Sequence, residues 1–175
     1  RRIHPLPRGR HSRRSAERHT VDTASRHEAH RVAAMRQRAK VGESFSSEVT
    51  LDEDSIAEFA RLSGDMNPLH HDREFARQSR FGQIIACGPQ YASLLMGLAA
   101  SHFSQRTTML GLEFDLKFHR AVRAGETLHL RWEVLSVEWK ESLRGDLVQL
   151  RGSVSTAEGY EVLTSTGTIL LTDQP

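Results

Sequence analysis

Between Leu62 and Asp72 the chain reads Leu-Ser-Gly-Asp-Met-Asn-Pro-Leu-His-His-Asp, a dense set of side chains able to move protons. Asp65 and His70 stand on either side of Asn67-Pro68. Asn-Pro is a turn dipeptide, and the residue before proline is pushed out of helical geometry. The two side chains are therefore expected on opposite arms of a bend, converging on one small molecule such as a water. A carboxylate and an imidazole so placed suit general acid/base chemistry, one taking a proton while the other orients or supplies one. Asn67 is read as the former of the turn and His71 as a solvated residue pointing away from His70. A metal site made of Asp65, His70, His71 and Asp72 is disfavoured, because adjacent histidines rarely chelate one ion and no His-x-x-x-His pair falls on a helix. No glycine-rich phosphate loop follows a strand, so the expectation is no metal and no cofactor.

These residues need elements to hold them. Asp52 or a neighbour is expected to cap a helix whose apolar side is Ile56, Phe59, Ala60 and Leu62, directly before the bend. Asp72 to Gln78 reads as a second, short helix. Pro89 suits the first turn of a longer helix running to about His102, in which Ala92, Leu95, Met96 and Ala99 share a face. Residues 92–100 are apolar nearly all round, which predicts burial. Gly88 then opens a buried helix, with a backbone N–H that lacks an intrahelical partner and lies at the positive end of the dipole. Such a group can stabilise negative charge developing on an oxygen, although a glycine there could also serve only to turn the chain into the helix.

The second half changes period. Residues 45–50 form a weakly alternating first strand, and Leu110, Leu112, Phe114, Leu116 and Phe118 alternate strictly with polar residues or glycine, as in a half-buried strand. Leu128, Leu130, Trp132 and Val134 repeat the pattern, followed by Val148, Leu150, Gly152 and Val154. A turn at Ala157-Glu158-Gly159-Tyr160 leads into a last strand from Glu161 to Leu171. Long antiparallel strands with one apolar helix predict a single α+β domain, its sheet wrapped on that helix.

Composition divides the chain in two. Over 175 residues the formal charge is +2 and the isoelectric point near 9.0, but residues 1–40 carry 12 of the 24 Lys and Arg and only Glu17, Asp22 and Glu28, leaving +9 there and −7 beyond. That basic segment has almost no aromatic or β-branched content and is expected to be disordered. The chain begins with Arg1, and Met35 stands shortly before the foldable part, so an upstream extension or misplaced start is the preferred reading. An organellar transit peptide in residues 1–34 is the second reading. A nucleic-acid-binding arm is disfavoured, since aromatics are not interleaved and the body is acidic. The remaining 41–175 has the size of one domain. No run of 18 apolar residues occurs, so no membrane span is expected, and the single Cys87 excludes an internal disulfide and fits a reducing compartment such as the cytoplasm.

With Phe59-Ala60 upstream, Ser63-Gly64-Asp65-x-Asn67-Pro68-x-His70 resembles the signature of the MaoC-like (R)-specific enoyl-CoA hydratases. The resemblance continues through Phe75-Ala76, Phe81-Gly82, Cys87-Gly88, Phe118-His119-Arg120-Ala121-Val122 and Gly125-Glu126, covering about residues 41 to 173. It implies a hotdog fold, a homodimer, and an acyl-CoA or acyl carrier protein thioester as partner. It also implies hydration of a trans-2-enoyl thioester, or the reverse dehydration, with Asp65 and His70 catalytic and the Gly88 N–H on the thioester oxygen. Asn67, Ser93 and Met96 are placed at the substrate pocket. Two positions depart from the family pattern. Cys87 stands where similar hydratases commonly have His and is read as a small buried apolar residue. Met96 occupies the place of a usual serine, with Ser93 one turn earlier as a substitute hydroxyl. A hotdog thioesterase, a dehydratase specialised for a branched or acidic acyl group, and a non-catalytic acyl-thioester-binding subunit remain as alternatives.

Overall fold

The computed structural model describes residues 38–173. The expected disorder and the proposed start at Met35 concern residues that lie outside this range, except for 38–40, of which Arg38 and Ala39 are packed and Lys40 is exposed. Arg38 reaches Asp146 at 3.0 Å and Asp173 at 2.7 Å, and Ala39 is buried.

Beyond them the chain forms β1 (Ser44–Thr50), α1 (Glu53–Ser63), a 3-10 turn (Pro68–His70), α2 (Arg73–Gln78) and α3 (Gly88–Ser104). Then come β2 (Thr108–Phe118), β3 (Thr127–Lys140), a short 3-10 turn (Glu141–Leu143), β4 (Gly145–Thr156) and β5 (Glu161–Thr172). The strands form one antiparallel sheet in the order β1-β3-β4-β5-β2. Its inner face is made by the alternating apolar residues of the three central strands, including Leu128, Leu130, Trp132, Val134, Leu150, Val154, Leu163 and Ile169, all buried. Against it α3 lays Tyr91, Ala92, Leu95, Ala99 and Phe103. This is the expected α+β hotdog arrangement, a single antiparallel sheet wrapped around one central helix. Among the described residues no helix is long and apolar enough to cross a membrane.

Trp132 joins the two layers. Its indole lies over Gly152, where an added Cβ would stand 2.5 Å from the ring, and its N–H donates to the Leu95 carbonyl at 2.7 Å. A buried indole N–H is thus satisfied by the helix it packs against. Phe114 fills the space above Gly167 in the same way, 2.8 Å from where a Cβ would be.

Three expectations are corrected. Leu62 is 70% exposed, so the buried side of α1 is Ile56 and Ala60, with Phe59 half-buried. The helix α3 is not covered all round: Leu94 is 38% exposed, and Ser93, Gly97 and Ala100 also face outward. Its apolar composition therefore marks a surface in addition to a core face. Finally, the five alternating apolar residues of β2 do not share a face. The register with β5 shifts between Gly111 and Glu113, so Leu112 is bulged, with Leu110 opposite Leu170 and Phe114 opposite Gly167. One extra residue reverses the alternation, placing Leu110 on the outer face and Phe114, Leu116 and Phe118 on the inner one.

Candidate active site

The site is built where α1 stops. Asp52 caps the start of α1 by accepting the Ser55 N–H at 2.8 Å, and Gly64 ends it in the left-handed region at φ 77°. That conformation is cheap only for glycine, and it turns the chain so that Asp65 leaves the helix axis. Asp65 Oδ1 accepts the Asn67 N–H at 3.3 Å. Asn67 Oδ1 accepts the Leu69 N–H at 3.1 Å and so caps the 3-10 turn that Pro68 opens. Two short-range acceptors thus hold the bend that carries His70.

His70 is buried while the Asp65 side chain keeps 39% of its exposure. His70 Nε2 lies 3.4 Å from Asp65 Oδ2, and Nδ1 is 2.8 Å from the Ile85 carbonyl oxygen. Since a carbonyl can only accept, Nδ1 carries a proton, and in the neutral ring Nε2 then presents a lone pair toward the carboxylate. Ile85 N–H donates in turn to Leu69 O at 3.2 Å, so the segment before α3 and the turn bearing His70 are pinned to each other.

That segment also pairs with the loop before β3, through Ala86 N–H to Val122 O at 2.8 Å and Ala124 N–H to Ile84 O at 3.0 Å. The two sets of bonds set Cys87 and Gly88 beside the dyad. The Asp65 carboxylate, His70 imidazole and Cys87 thiol place ligand-type atoms all within 4.8 Å of one another. Burial first, then the charge and hydrogen bond of Asp65, push the Cys87 thiol up to about 11. Cys87 is therefore more than an apolar filler: its thiol faces the carboxylate of Asp65. Sequence reasoning missed this contact, and its signal was the adjacency of Cys87 to Gly88.

Gly88 is the first residue of α3, so its N–H has no carbonyl one turn back to bind. A Cβ there would stand 3.1 Å from the Phe118 ring, which meets Tyr91 edge-on at 5.7 Å. These two aromatic walls were also missed; β2 delivers one of them only because its bulge turns Phe118 inward. Of the remaining residues, Ser93 is exposed and donates its hydroxyl to Pro89 O at 2.7 Å, and Met96 is half-buried on α3. His71 Nε2 meets the Met66 carbonyl at 3.2 Å, and Asp72 caps α2 by accepting the Phe75 N–H at 3.0 Å. Neither belongs to the group of possible metal ligands, which is Asp65, His70 and Cys87.

His70 borders a cleft of about 560 Å³ shared with Glu53, Asp54, Asp72, Arg73 and Ile84. A cleft of about 450 Å³ lies on the outer sheet face among Lys117, Arg131, Glu133, Arg151 and Thr164, and includes neither dyad residue. The dyad, with a lone pair on each side and an N–H donor on the helix beside it, is where a proton can be passed.

The family model described as "MaoC like domain" matches residues 36–157. The chain is 28% identical over 125 residues, 67% of its length and 78% of the relative's, to a UPF0336 protein of Saccharopolyspora erythraea. Its fold is similar to that of the R-hydratase PhaJ1 from Pseudomonas aeruginosa, with a TM-score of 0.70 and 25% identity, covering 78% of this chain and 84% of that one. It is also similar to the (R)-hydratase from A. caviae involved in PHA biosynthesis, with a TM-score of 0.68 and 26% identity, covering 79% of this chain and 99% of the other. The signature residues, the sheet wrapped on α3 and a match over most of the chain agree: the protein belongs to the MaoC-like domain family.

Proposed function

We propose that the protein is a hydro-lyase that adds water across the double bond of a trans-2-enoyl thioester to give the (R)-3-hydroxyacyl thioester, or runs the reverse dehydration. The observation that carries this reading is the facing of two proton acceptors, His70 Nε2 and Asp65 Oδ2, at 3.4 Å. Two acceptors that close need a proton donor between or beside them, and a water can donate to both. One O–H bond of that water breaks as its oxygen bonds the β-carbon, the dyad takes the proton, and a proton is delivered from the dyad to the α-carbon. The electron pair of the double bond shifts toward the thioester oxygen, which the Gly88 N–H stabilises at the helix N-terminus, and returns to form the C–H bond. The similarity to two (R)-hydratases supports the stereochemistry.

The acting unit is proposed to be a homodimer joined along β2, whose Leu110, Leu112 and Phe118 are 50%, 52% and 46% exposed on an edge strand. The partner thioester is carried by CoA or acyl carrier protein. The test is a panel of trans-2-enoyl-CoA thioesters followed by mass spectrometry and chiral chromatography. Asp65→Asn and His70→Ala should each remove nearly all turnover, and the double variant should be scarcely slower, because groups that act as a unit are not additive. Near-normal rates in either single variant, or free acid and CoA as the only products, would replace this reading with a thioesterase or a binding subunit.

A further inference from the structure

We propose that Asp65, His70 and Cys87 form a three-ligand site for a thiophilic divalent cation of the zinc class. The three residues come from the turn after α1, the 3-10 turn and the N-terminus of α3, and their donor atoms already lie within 4.8 Å of one another. Around a tetrahedral zinc, ligands about 2.0–2.3 Å from the ion stand about 3.3–3.8 Å apart. Closing the cluster on an ion thus requires side-chain rotation of about 1 Å at its widest separation, while the Asp65–His70 pair is at 3.4 Å already.

The surroundings suit an ion as well as the distances do. His70 Nδ1 donates to Ile85 O at 2.8 Å, the outer bond that metal-binding histidines characteristically make, which leaves Nε2 as the ligating atom. Cys87 is fully buried and the His70 side chain is 8% exposed, whereas that of Asp65 is 39% exposed. The cluster is therefore reached from the Asp65 side, which also leaves a fourth position for water. A thiolate and an imidazole select zinc-class ions over magnesium or calcium.

Binding breaks the Cys87 S–H bond, forms a sulfur–metal bond and releases the proton to solvent. A bound ion takes the lone pairs of both dyad members, and so competes with their handling of a water. That consequence rests on the hydration reading; the binding itself does not.

Cys87 is the single cysteine of the chain, so a thiolate-to-metal charge-transfer band can report only on this residue. Histidines elsewhere, including five within residues 1–37, bind cobalt without such a band. Cobalt(II) titrated into the full chain at mildly alkaline pH should produce the near-ultraviolet band, saturating at one equivalent per chain and displaced by zinc. The band should be absent in Cys87→Ser and Cys87→Ala, and its midpoint should rise at least about tenfold in Asp65→Asn and His70→Gln, with thermal melting verifying that each variant is folded. No band in the folded wild-type protein overturns the proposal, as does a band of unchanged affinity in Asp65→Asn and His70→Gln. Failure of the hydration reading would look different: no turnover in the metal-free protein, with the cobalt band intact.

Discussion

The sheet closes on two edge strands that differ in every respect that governs association. β1 is short, seven residues, and turns Ser44, Ser46, Ser47, Glu48 and Thr50 to solvent. Its Phe45 stacks on His102 of α3 with ring centroids 3.8 Å apart, and His102 Nε2 meets Glu43 Oε1 at 2.7 Å. β2 is eleven residues long and leaves Leu110, Leu112 and Phe118 about half exposed. A polar, short edge tied to the helix discourages further pairing, and a long apolar one invites it. The difference shows that one edge of a sheet can be sealed by its own side chains while the other keeps apolar side chains half exposed.

The largest effect should come from opposing the proposed pairing along β2. Replacing both Leu110 and Leu112 by Lys is expected to weaken self-association by about 100-fold or more, equivalent to about 2.7 kcal/mol, with the fold intact by circular dichroism. Sedimentation velocity across a concentration series measures this, and a wild-type protein that is monomeric at all concentrations would break the contrast between the edges.

The next effect belongs to the sheet centre, which serves as the reference for both edges. Gly152→Ala puts a Cβ 2.5 Å from the Trp132 ring, so the indole must shift against Leu95. A loss of about 1–3 kcal/mol is expected in chemical denaturation. An unchanged midpoint would mean that the layer between α3 and the sheet is looser than its burial indicates.

A smaller effect should be read at the sealed edge. Burial raises the Glu43 carboxyl pKa, but hydrogen bonds from His102, the Lys40 backbone and Arg106, with the Arg106 charge, outweigh it and leave the group below its ordinary value of 4.5. A carboxyl depressed on folding contributes stability above its unfolded pKa and loses it as pH falls through the folded one. Glu43→Gln should therefore cost roughly 1–2 kcal/mol at neutral pH, with the difference from wild type fading below pH 4.5. A difference that persists undiminished in acid would assign the effect to packing rather than charge. Smallest of all, Ser46→Lys on β1 should change stability by less than about 0.5 kcal/mol and leave association alone, in contrast to lysine on β2.

The two strands that alternated alike in sequence, β2 and β3, also show where sequence reading stops. In β3 the run Leu128, Leu130, Trp132, Val134 is uniformly buried; β4 pairs with it without interruption over that stretch, and β1 does so as far as Glu133. In β2 the same pattern is split by a bulge at Leu112. Periodicity depends on the chain alone, whereas a bulge depends on what the partner strand and the covering helix require, here that Phe114 settle on Gly167 and Phe118 against Gly88. The exposure of Leu62 and Leu94 has the same cause, since apolar character does not say which side of a helix is covered.

At the site, the residue types and the bend were legible because they are set by local chemistry: a left-handed glycine, an Asn cap and a proline place Asp65 and His70 within a few residues of each other. The order of elements and the α+β class were legible for the same reason, being written in the spacing of apolar residues. Only the tertiary structure decided that Ile85 accepts from Nδ1 and so leaves Nε2 toward Asp65, that Cys87 faces the same carboxylate, and that Phe118 walls Gly88. Each of these joins segments 15 or more residues apart, and such contacts are fixed by the packing of α3 on the sheet, which no local pattern encodes.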